Sequence, residues 1–396
     1  MLLSFALIII CGLALGGLLQ KLRLPSLLGI LIVGIILGPY VLDLIAPEIL
    51  AISVDLRQIA LVVIILRAGL TLDIKSLKKV GRPAILMCFL PAVFEIAATT
   101  IFAPMLFNIS YLEAAIMGTV LGAVSPAVIV PRMLKLIENG YGYEKSIPQL
   151  IIAGASVDDV FVIVLFTSFM SAYQTGSFDF VGILKIPAAI ITGLIIGVIV
   201  GIIFVWLFKK IKTNITTKAI LLLAIAILFV VLENVIKSVI PFSGLLAVMA
   251  LGCIILKLNI DLAEEMSNKF NGVWLFAEIL LFALVGATID LSFAIQSAGL
   301  AVLLLFIILS FRLLGVWVCF IRTRLDFKER LFCAIAYLPK ATVQAAIGAI
   351  PLAAAVSAGS LILTVAVLSI LITAPLGAFG IDLLHKRLLQ KMNESE

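Results

Sequence analysis

The sequence predicts an all-α membrane protein that crosses the bilayer many times, and two observations support this fold class. Hydrophobic residues make up 64% of the 396 residues, charged residues make up 13%, and the mean hydropathy is +1.31. Soluble proteins are about half apolar and about a quarter charged. The chain also contains about 13 apolar stretches of roughly the 20-residue length that a spanning helix needs. We expect these spans at residues 2–20, 25–42, 56–72, 83–106, 112–131, 147–172, 183–208, 218–236, 241–257, 270–289, 293–321, 329–354 and 357–381.

The first apolar stretch is predicted to be a span, because no Lys or Arg precedes it and no small-residue cleavage site follows it. The cysteines all fall in apolar stretches, which is typical of packing residues and not of a disulfide framework. They are Cys11, Cys88, Cys253, Cys319 and Cys333. The single histidine, His385, lies in the basic C-terminal tail, so no histidine-based metal or nucleophile site is expected. The sequence therefore argues against an enzyme and predicts no cofactor.

The basic residues predict the orientation of the chain, because cytoplasmic connections hold the excess of Lys and Arg. When each basic residue at a span end is counted with the connection beside it, only three fall on one side of the membrane: Arg57, Lys185 and Lys237. Arg67, Arg312 and Lys340 lie within spans, and all the others fall on the opposite side. We therefore expect a cell (plasma or inner) membrane protein with its N-terminus outside and its C-terminus in the cytoplasm. The net charge of +6 then reflects topology and not a nucleic-acid surface.

Five ionisable residues fall at bilayer depth, where a charge is costly and normally serves a function. They are Glu95 in span 4, Asp158 and Asp159 in span 6, Arg312 in span 11 and Lys340 in span 12. Neighbouring residues on a helix point about 100° apart. The two aspartates therefore cannot share a proton face to face as those of an aspartic protease do.

The aspartate pair predicts a site at which cations and protons compete. Asp158 and Asp159 end the run Ala155-Ser156-Val157-Asp158-Asp159 near the middle of span 6. Two carboxylates in a partly desolvated site cannot both ionise at low cost, and either a sodium ion or a proton satisfies the same charge. Such competition is the minimum that an antiporter requires. The alternative is that the carboxylates only tie helices together, which is an expensive way to pack.

Prolines interrupt two spans near the middle of the membrane. Span 5 contains Ser125-Pro126, and span 12 contains Pro339-Lys340. A proline frees a backbone carbonyl, and such breaks persist at membrane depth where a polar cavity or neighbouring groups satisfy it. Many transporters build ion sites from broken helices, although a simple proline kink is the alternative at each position. Four further polar side chains are expected at this depth, of which the first two are assigned to ion binding with the aspartates: Ser125, Ser156, Thr342 and Gln344.

Spans 4 to 6 and 11 to 13 form two triplets with the broken span central in each. The step of seven spans inverts the second triplet relative to the first, and an inverted repeat with a site at its interface is a common transporter plan. Glu95 and Arg312 lie on corresponding spans, so we expect a buried ion pair between the triplets, which could also serve packing alone. Lys340 could compensate Asp158 or neutralise the helix C-terminal dipoles at the breaks.

These residues resemble those of the NHA-type sodium/proton antiporters, in the monovalent cation:proton antiporter superfamily, over nearly the whole chain. The most specific elements are the run that ends in Asp158-Asp159, residues 339–348 (PKATVQAAIG) and residues 66–70 (LRAGL). The resemblance implies an inverted-repeat antiporter fold with two crossing broken helices, and transport of Na+ or Li+ against H+. It also implies that Asp159 is the principal ion-binding carboxylate and Asp158 its neighbour in the site.

The resemblance further implies a homodimer in which a six-helix core moves against a dimerisation domain, as an elevator. The expected domains are 1–82 (dimerisation, first part), 83–172 (core, first half), 173–290 (linking helix and dimerisation, second part), 291–385 (core, second half) and 386–396 (cytoplasmic tail). Many relatives outside this subgroup carry a lysine where Arg312 stands, so the transport stoichiometry stays open.

Three alternatives to sodium/proton exchange remain. Potassium/proton exchange would use the same carboxylates. A cation channel would need a charged filter, which usually draws rings of residues from several subunits or repeats, whereas here the paired carboxylates come from one helix. An organic-anion symporter would need more polar or aromatic groups at the midplane, although the bile-acid carriers resemble the same architecture.

Overall fold

The computed structural model describes residues 1–71, 81–175, 180–211, 213–236 and 241–391, and the regular structure within these ranges is α-helical. Lys237 and the last five residues of the predicted tail lie outside them. The helices are α1 (Leu2–Lys21), α2 (Ser26–Leu37), α3 (Pro47–Ala51), α4 (Ser53–Thr71), α5 (Arg82–Met87), α6 (Leu90–Phe107), α7 (Tyr111–Gly122), α8 (Pro126–Glu138), α9 (Ile147–Thr175), α10 (Phe180–Lys210), α11 (Ile215–Ile236), α12 (Gly244–Leu258), α13 (Ile260–Ala287), α14 (Leu291–Cys319), α15 (Phe327–Ala336), α16 (Thr342–Ile347), α17 (Ile350–Ala353) and α18 (Gly359–Leu388).

Nine helical segments in the described ranges are long and apolar enough to cross a membrane, which confirms a polytopic all-α protein. The other four predicted spans fall on α2, α4, α12 and the set α15 to α17. Of these, α2 and α12 have only 12 and 15 residues. The 19-residue α4 carries Asp55, Arg57 and Arg67, and the span predicted at 329–354 is divided into three short helices. The total of thirteen spans therefore stays a prediction.

The chain forms two compact units. The first contains Met1–Val54, Asp73–Phe169 and Phe282–Glu396, and the second contains Asp55–Leu72 and Met170–Leu281. Both triplets of spans that carry the predicted site belong almost entirely to the first unit. The second unit contains α10, α11 and α12 together with most of α4 and α13.

Helices of the first unit approach one another closely where glycine replaces a side chain. Gly34 of α2 lies against the C-terminal end of α13, and a Cβ atom built on Gly34 would sit 2.0 Å from the carbonyl oxygen of Ala283. Gly286 makes the reciprocal approach, since its Cβ would lie 2.3 Å from the carbonyl oxygen of Leu31. Small residues allow this kind of backbone contact between membrane helices.

We expect Gly34→Ala to destabilise the protein by roughly 1–3 kcal/mol, because the obstructing atoms are backbone and the helices must move apart. The midpoint of thermal unfolding in detergent measures this loss. Gly17→Ala in α1 is the matched control, because a Cβ atom there meets nothing within 4 Å. Alanine also forms helix better than glycine, so Gly17→Ala should leave the midpoint unchanged or raise it. Equal losses in the two variants would contradict the packing argument.

The second unit uses the same packing device. A Cβ atom on Gly197 of α10 would lie 2.3 Å from the carbonyl oxygen of Ala247 in α12, and one on Gly69 of α4 would lie 2.5 Å from the carbonyl oxygen of Met249. Helix α12 is therefore packed against α10 on one side and α4 on another. This places the glycine of the LRAGL run in a helix contact.

The two broken spans begin with the same local structure. At the start of α7, Ser110 caps the helix while Glu113, three residues later, accepts a hydrogen bond from the Ser110 amide. At the start of α15, Asp326 and Glu329 form the same reciprocal capping box. Such caps satisfy amides that a helix N-terminus leaves free. The two triplets thus share a plan that extends to the helix ends.

Each capping glutamate also contacts the other triplet. Glu113 accepts hydrogen bonds from the Ser357 hydroxyl and, at 3.1 Å, from the Ala358 amide, directly before α18. Glu329 accepts a hydrogen bond from Lys145 Nζ at 2.8 Å, directly before α9. In both cases the start of a broken span is tied to the start of the third span of the opposite triplet.

Candidate ion-binding site

The two broken spans cross at their breaks. Helix α7 ends at Gly122 and α8 begins at Pro126, while α15 ends at Ala336 and α16 begins at Thr342. The amide of Ser125 in the first break donates a hydrogen bond to the carbonyl oxygen of Pro339 in the second, at 2.8 Å. The sequence prediction of two proline-associated breaks is therefore matched by two non-helical segments in direct backbone contact.

Asp158 is buried completely and closes the first break. Its Oδ2 atom accepts a hydrogen bond from the Val124 amide at 2.9 Å and lies 3.2 Å from Nη2 of Arg312. The amide of Val124 has no helical partner because α7 has ended. The carboxylate of Asp158 thus satisfies a freed backbone donor and a buried cation at the same time.

Arg312 joins both triplets from its buried position on α14. Its Nη1 atom donates to Glu95 Oε2 at 2.7 Å and to the Gly122 carbonyl oxygen at 2.5 Å, and its Nε atom donates to the Tyr337 carbonyl oxygen at 2.7 Å. Gly122 and Tyr337 lie at the C-terminal ends of α7 and α15, where carbonyl groups lack helical partners and a cation is stabilised. The ion pair of Glu95 and Arg312 expected from the sequence is present.

Lys340 contacts the same glutamate from the second break. Its Nζ atom lies 2.7 Å from Glu95 Oε1 and also donates to the carbonyl oxygen of Leu121 near the C-terminal end of α7. Of the two roles that the sequence left open, these contacts favour neutralising a helix end over direct pairing with Asp158. Glu95 is consequently shared by two cations, and all three side chains are fully buried.

Asp159 stands apart from this network. It is 7% exposed, and it makes no ion pair within the described part of the chain. Its Oδ1 atom also has no hydrogen-bond partner there. Glu95 and Asp158 balance the charges of Arg312 and Lys340, so the carboxylate of Asp159 leaves one negative charge over.

Other oxygen atoms around the breaks are also unused. Among the described residues, buried side-chain oxygens without a hydrogen-bond partner include Asp158 Oδ1, Ser125 Oγ, Thr342 Oγ1 and Gln344 Oε1. The amide nitrogen of Gln344 donates to the Ala123 carbonyl oxygen at 2.9 Å, which fixes this side chain at the first break. Carboxylate, carbonyl and hydroxyl oxygens are the ligands that hard cations prefer.

The structure describes Ser156 only through its backbone. Its backbone belongs to α9, but its side chain lies outside the described residues. Its assignment as an ion ligand therefore stays a prediction.

Sequence reasoning missed several contributors to the site. The carbonyl groups of Leu121, Gly122 and Tyr337 carry no sequence signal, because every residue has one. Thr373 of α18 accepts a hydrogen bond from the Lys340 amide at 2.9 Å. The only sequence signal for it is one hydroxyl among several on a predominantly apolar helix.

Known proteins resemble the chain over nearly its whole length. The sequence model of the family described as "Sodium/hydrogen exchanger, transmembrane" matches residues 5–386. Sodium/hydrogen exchanger 9B2 of Mus musculus is 37% identical over 385 residues, which cover 93% of this chain and 69% of that protein. The Homo sapiens protein of the same name is 35% identical over 386 residues, which cover 93% and 70%. The structure of the sodium proton antiporter MjNhaP1 from Methanocaldococcus jannaschii at pH 8 matches with a TM-score of 0.86 at 21% identity, covering 97% of each chain. That likeness shows a shared fold.

Proposed function

Because the chain belongs to the sodium/hydrogen exchanger family, we propose that it is a secondary antiporter that exchanges Na+ or Li+ for H+ at the aspartates of α9. The sequence resemblance predicted the same family. The members of this family are transporters, so we assign no enzymatic reaction to the chain. We also assign it no cofactor, since the ions are its cargo.

The uncompensated carboxylate of Asp159 carries the proposal. An ionised carboxylate without a partner in a low-dielectric interior costs several kcal/mol. A bound proton or a bound Na+ neutralises that charge, whereas both together would leave a surplus positive charge. The site therefore holds one or the other, and exchange follows if it faces the two sides of the membrane in turn.

We assign Asp159 as the principal ligand of the cation, with Asp158, Ser125 and Ser156 as neighbours in the site. The unused oxygens of Asp158 and Ser125 support this assignment. Asp158 also has a structural task, because it holds Arg312 and the Val124 amide. Its contribution to the cation is therefore expected to come through Oδ1.

We further propose the larger assembly that the family resemblance implies. The chain forms a homodimer in a cell (plasma or inner) membrane, with its N-terminus outside and its C-terminus in the cytoplasm. The core of residues 83–172 and 291–385 carries the site across the membrane as an elevator. All the charged site residues lie within one compact unit, which supports their moving together, and that unit also includes residues 1–54 of the segment assigned to dimerisation.

Transport by the purified protein in liposomes tests this function. Liposomes with an acidic lumen and a trapped pH dye receive NaCl, LiCl, KCl or choline chloride outside. We expect Na+ or Li+ to raise the lumenal pH, because cation entry is coupled to proton exit. Choline controls for osmotic and chloride effects, and protein-free liposomes control for leakage.

The other outcomes separate the alternatives. A response to K+ without one to Na+ or Li+ would replace the cargo with potassium, and equal responses would add potassium to the cargo. Cation uptake that proceeds at the same rate without any proton movement would identify a channel and overturn exchange. No response to any of the three cations would refute the proposed function.

A further inference from the structure

The hydroxyl group of Thr373 in α18 accepts a hydrogen bond from the second break. The amide of Lys340 donates to its Oγ1 atom at 2.9 Å, and the same hydroxyl donates to the Ser369 carbonyl oxygen of its own helix at 2.7 Å. Thr373 is 1% exposed. The back-bond to Ser369 uses the hydroxyl proton, so a lone pair is left to accept the Lys340 amide. The hydroxyl is therefore oriented as an acceptor.

A side chain also accepts a hydrogen bond from a backbone amide of the first break. The amide of Val124 donates to Asp158 Oδ2, which comes from the third span of its own triplet, 34 residues along the chain. The amide of Lys340 donates to Thr373, which comes from the third span of the second triplet, 33 residues along the chain. Thr373 is thus the counterpart of Asp158 in the inverted repeat.

The two counterparts differ in charge. Asp158 brings an acidic carboxyl group that lies 3.2 Å from Arg312, whereas Thr373 supplies a neutral hydroxyl oxygen. Arg312 and Lys340 are already balanced by Glu95 and Asp158, so a carboxylate at position 373 would add another uncompensated buried charge. A hydroxyl satisfies the freed amide without that cost.

One turn after Thr373, α18 contacts the second break again, at Gly377. A Cβ atom on Gly377 would lie 2.2 Å from Cγ of Pro339, so the proline ring occupies the space of a side chain there. The helix therefore contacts the break through an acceptor at Thr373 and a bare backbone at Gly377. This fit holds Pro339 and Lys340, the two residues of the break that bind Ser125 and Glu95.

We propose that Thr373 is a positioning residue for the exchange reaction, which keeps the second break in place so that the Pro339 carbonyl group and the Lys340 ammonium group reach their partners. The inference rests on the proposed sodium/proton exchange. Without the acceptor, the Lys340 amide is buried without a partner, and from α18 only the contact of Pro339 with Gly377 still holds the break. The site must then be ordered each time the cation binds, and this cost appears as weaker apparent affinity.

Thr373→Val tests the inference, since valine keeps the shape and removes the acceptor. We expect the KM for Na+ in the liposome assay to rise about tenfold, with a smaller change in maximum rate, in line with one unsatisfied buried amide. Thr373→Ser keeps the hydroxyl and should restore a KM close to that of the wild type. If Thr373→Val cannot be purified, Thr373→Ala against Thr373→Ser makes the same comparison.

Thr364→Val is the matched control, because it makes the same change at a residue of the same helix that is 3% exposed and nine positions away. Its KM should equal that of the wild type. An unchanged KM in Thr373→Val, or a Thr373→Ser variant as impaired as Thr373→Val, would overturn the positioning role even where thermal stability falls. Failure of the proposed function is distinguishable, because the wild type itself would then not respond to Na+.

Discussion

Asp159→Asn is expected to abolish sodium-dependent proton movement while the protein stays folded. Asparagine has nearly the same size and keeps a carbonyl oxygen, but it carries no charge for a proton or a cation to neutralise. The loss of this electrostatic term, several kcal/mol, corresponds to a rate reduced on the order of 100-fold or more. Because Asp159 makes no ion pair in the described part of the chain, thermal unfolding should shift little or toward higher temperature.

Two variants sharpen this experiment. Asp261→Asn makes the same change at an exposed position in the first turn of α13 and should transport as the wild type does. Asp158→Asn should lose both transport and thermal stability, because it removes the negative charge that faces Arg312 and leaves that buried cation less compensated. Exchange that persists in Asp159→Asn would move the ion site elsewhere, and a loss of stability equal to that of Asp158→Asn would assign Asp159 a packing role.

Glu95→Gln and Arg312→Gln are each expected to destabilise the protein by roughly 3–5 kcal/mol, because removal of one partner leaves a buried charge uncompensated. Glu95 and Arg312 are 0% exposed, and their facing atoms are 2.7 Å apart. The double variant removes both charges together. We therefore expect it to be more stable than the sum of the two losses predicts, which a double-mutant cycle on thermal or denaturant unfolding in detergent measures.

A more exposed ion pair, that of Arg132 and Asp382, serves as the control for the buried pair. Arg132 and Asp382 lie 3.3 Å apart with side chains that are 18% and 40% exposed. Water screens this pair, so Arg132→Gln and Asp382→Asn should each cost about 1 kcal/mol or less. Strictly additive losses at Glu95 and Arg312 would mean that their contact contributes nothing, and losses as small as those of the surface pair would mean that the network is hydrated.

The sequence predicted those parts of the site whose side chains cost free energy inside a membrane, namely the charged residues and the prolines. A buried Glu95 and Arg312 need partners, so their positions on corresponding spans were enough to predict the pair. Pro126 and Pro339 could be recognised as breaks because proline cannot continue the helical hydrogen bonding. Pro126 indeed begins the second half-helix, α8, at its first turn, where a missing amide hydrogen costs nothing.

The parts that could not be predicted depend on contacts with the backbone. The contact of Lys340 with the carbonyl group of Leu121 favours the role at a helix end over pairing with Asp158, and no side chain in the sequence reveals that carbonyl group. Nothing in the sequence distinguishes Thr373, because threonines in membrane helices commonly bond only to their own backbone. Hydropathy predicts a single span at 329–354, since it does not register where a helix stops and restarts.

The backbone hydrogen bond between Ser125 and Pro339 has a consequence for how cargo is carried. Pulling the two crossing segments apart would leave a buried amide and a buried carbonyl group without partners, which is costly at membrane depth. We therefore expect the crossing to remain closed through the whole transport cycle. Access for the ion must then be opened and shut by surfaces outside the crossing, and a chemical cross-link between the two segments should leave turnover intact.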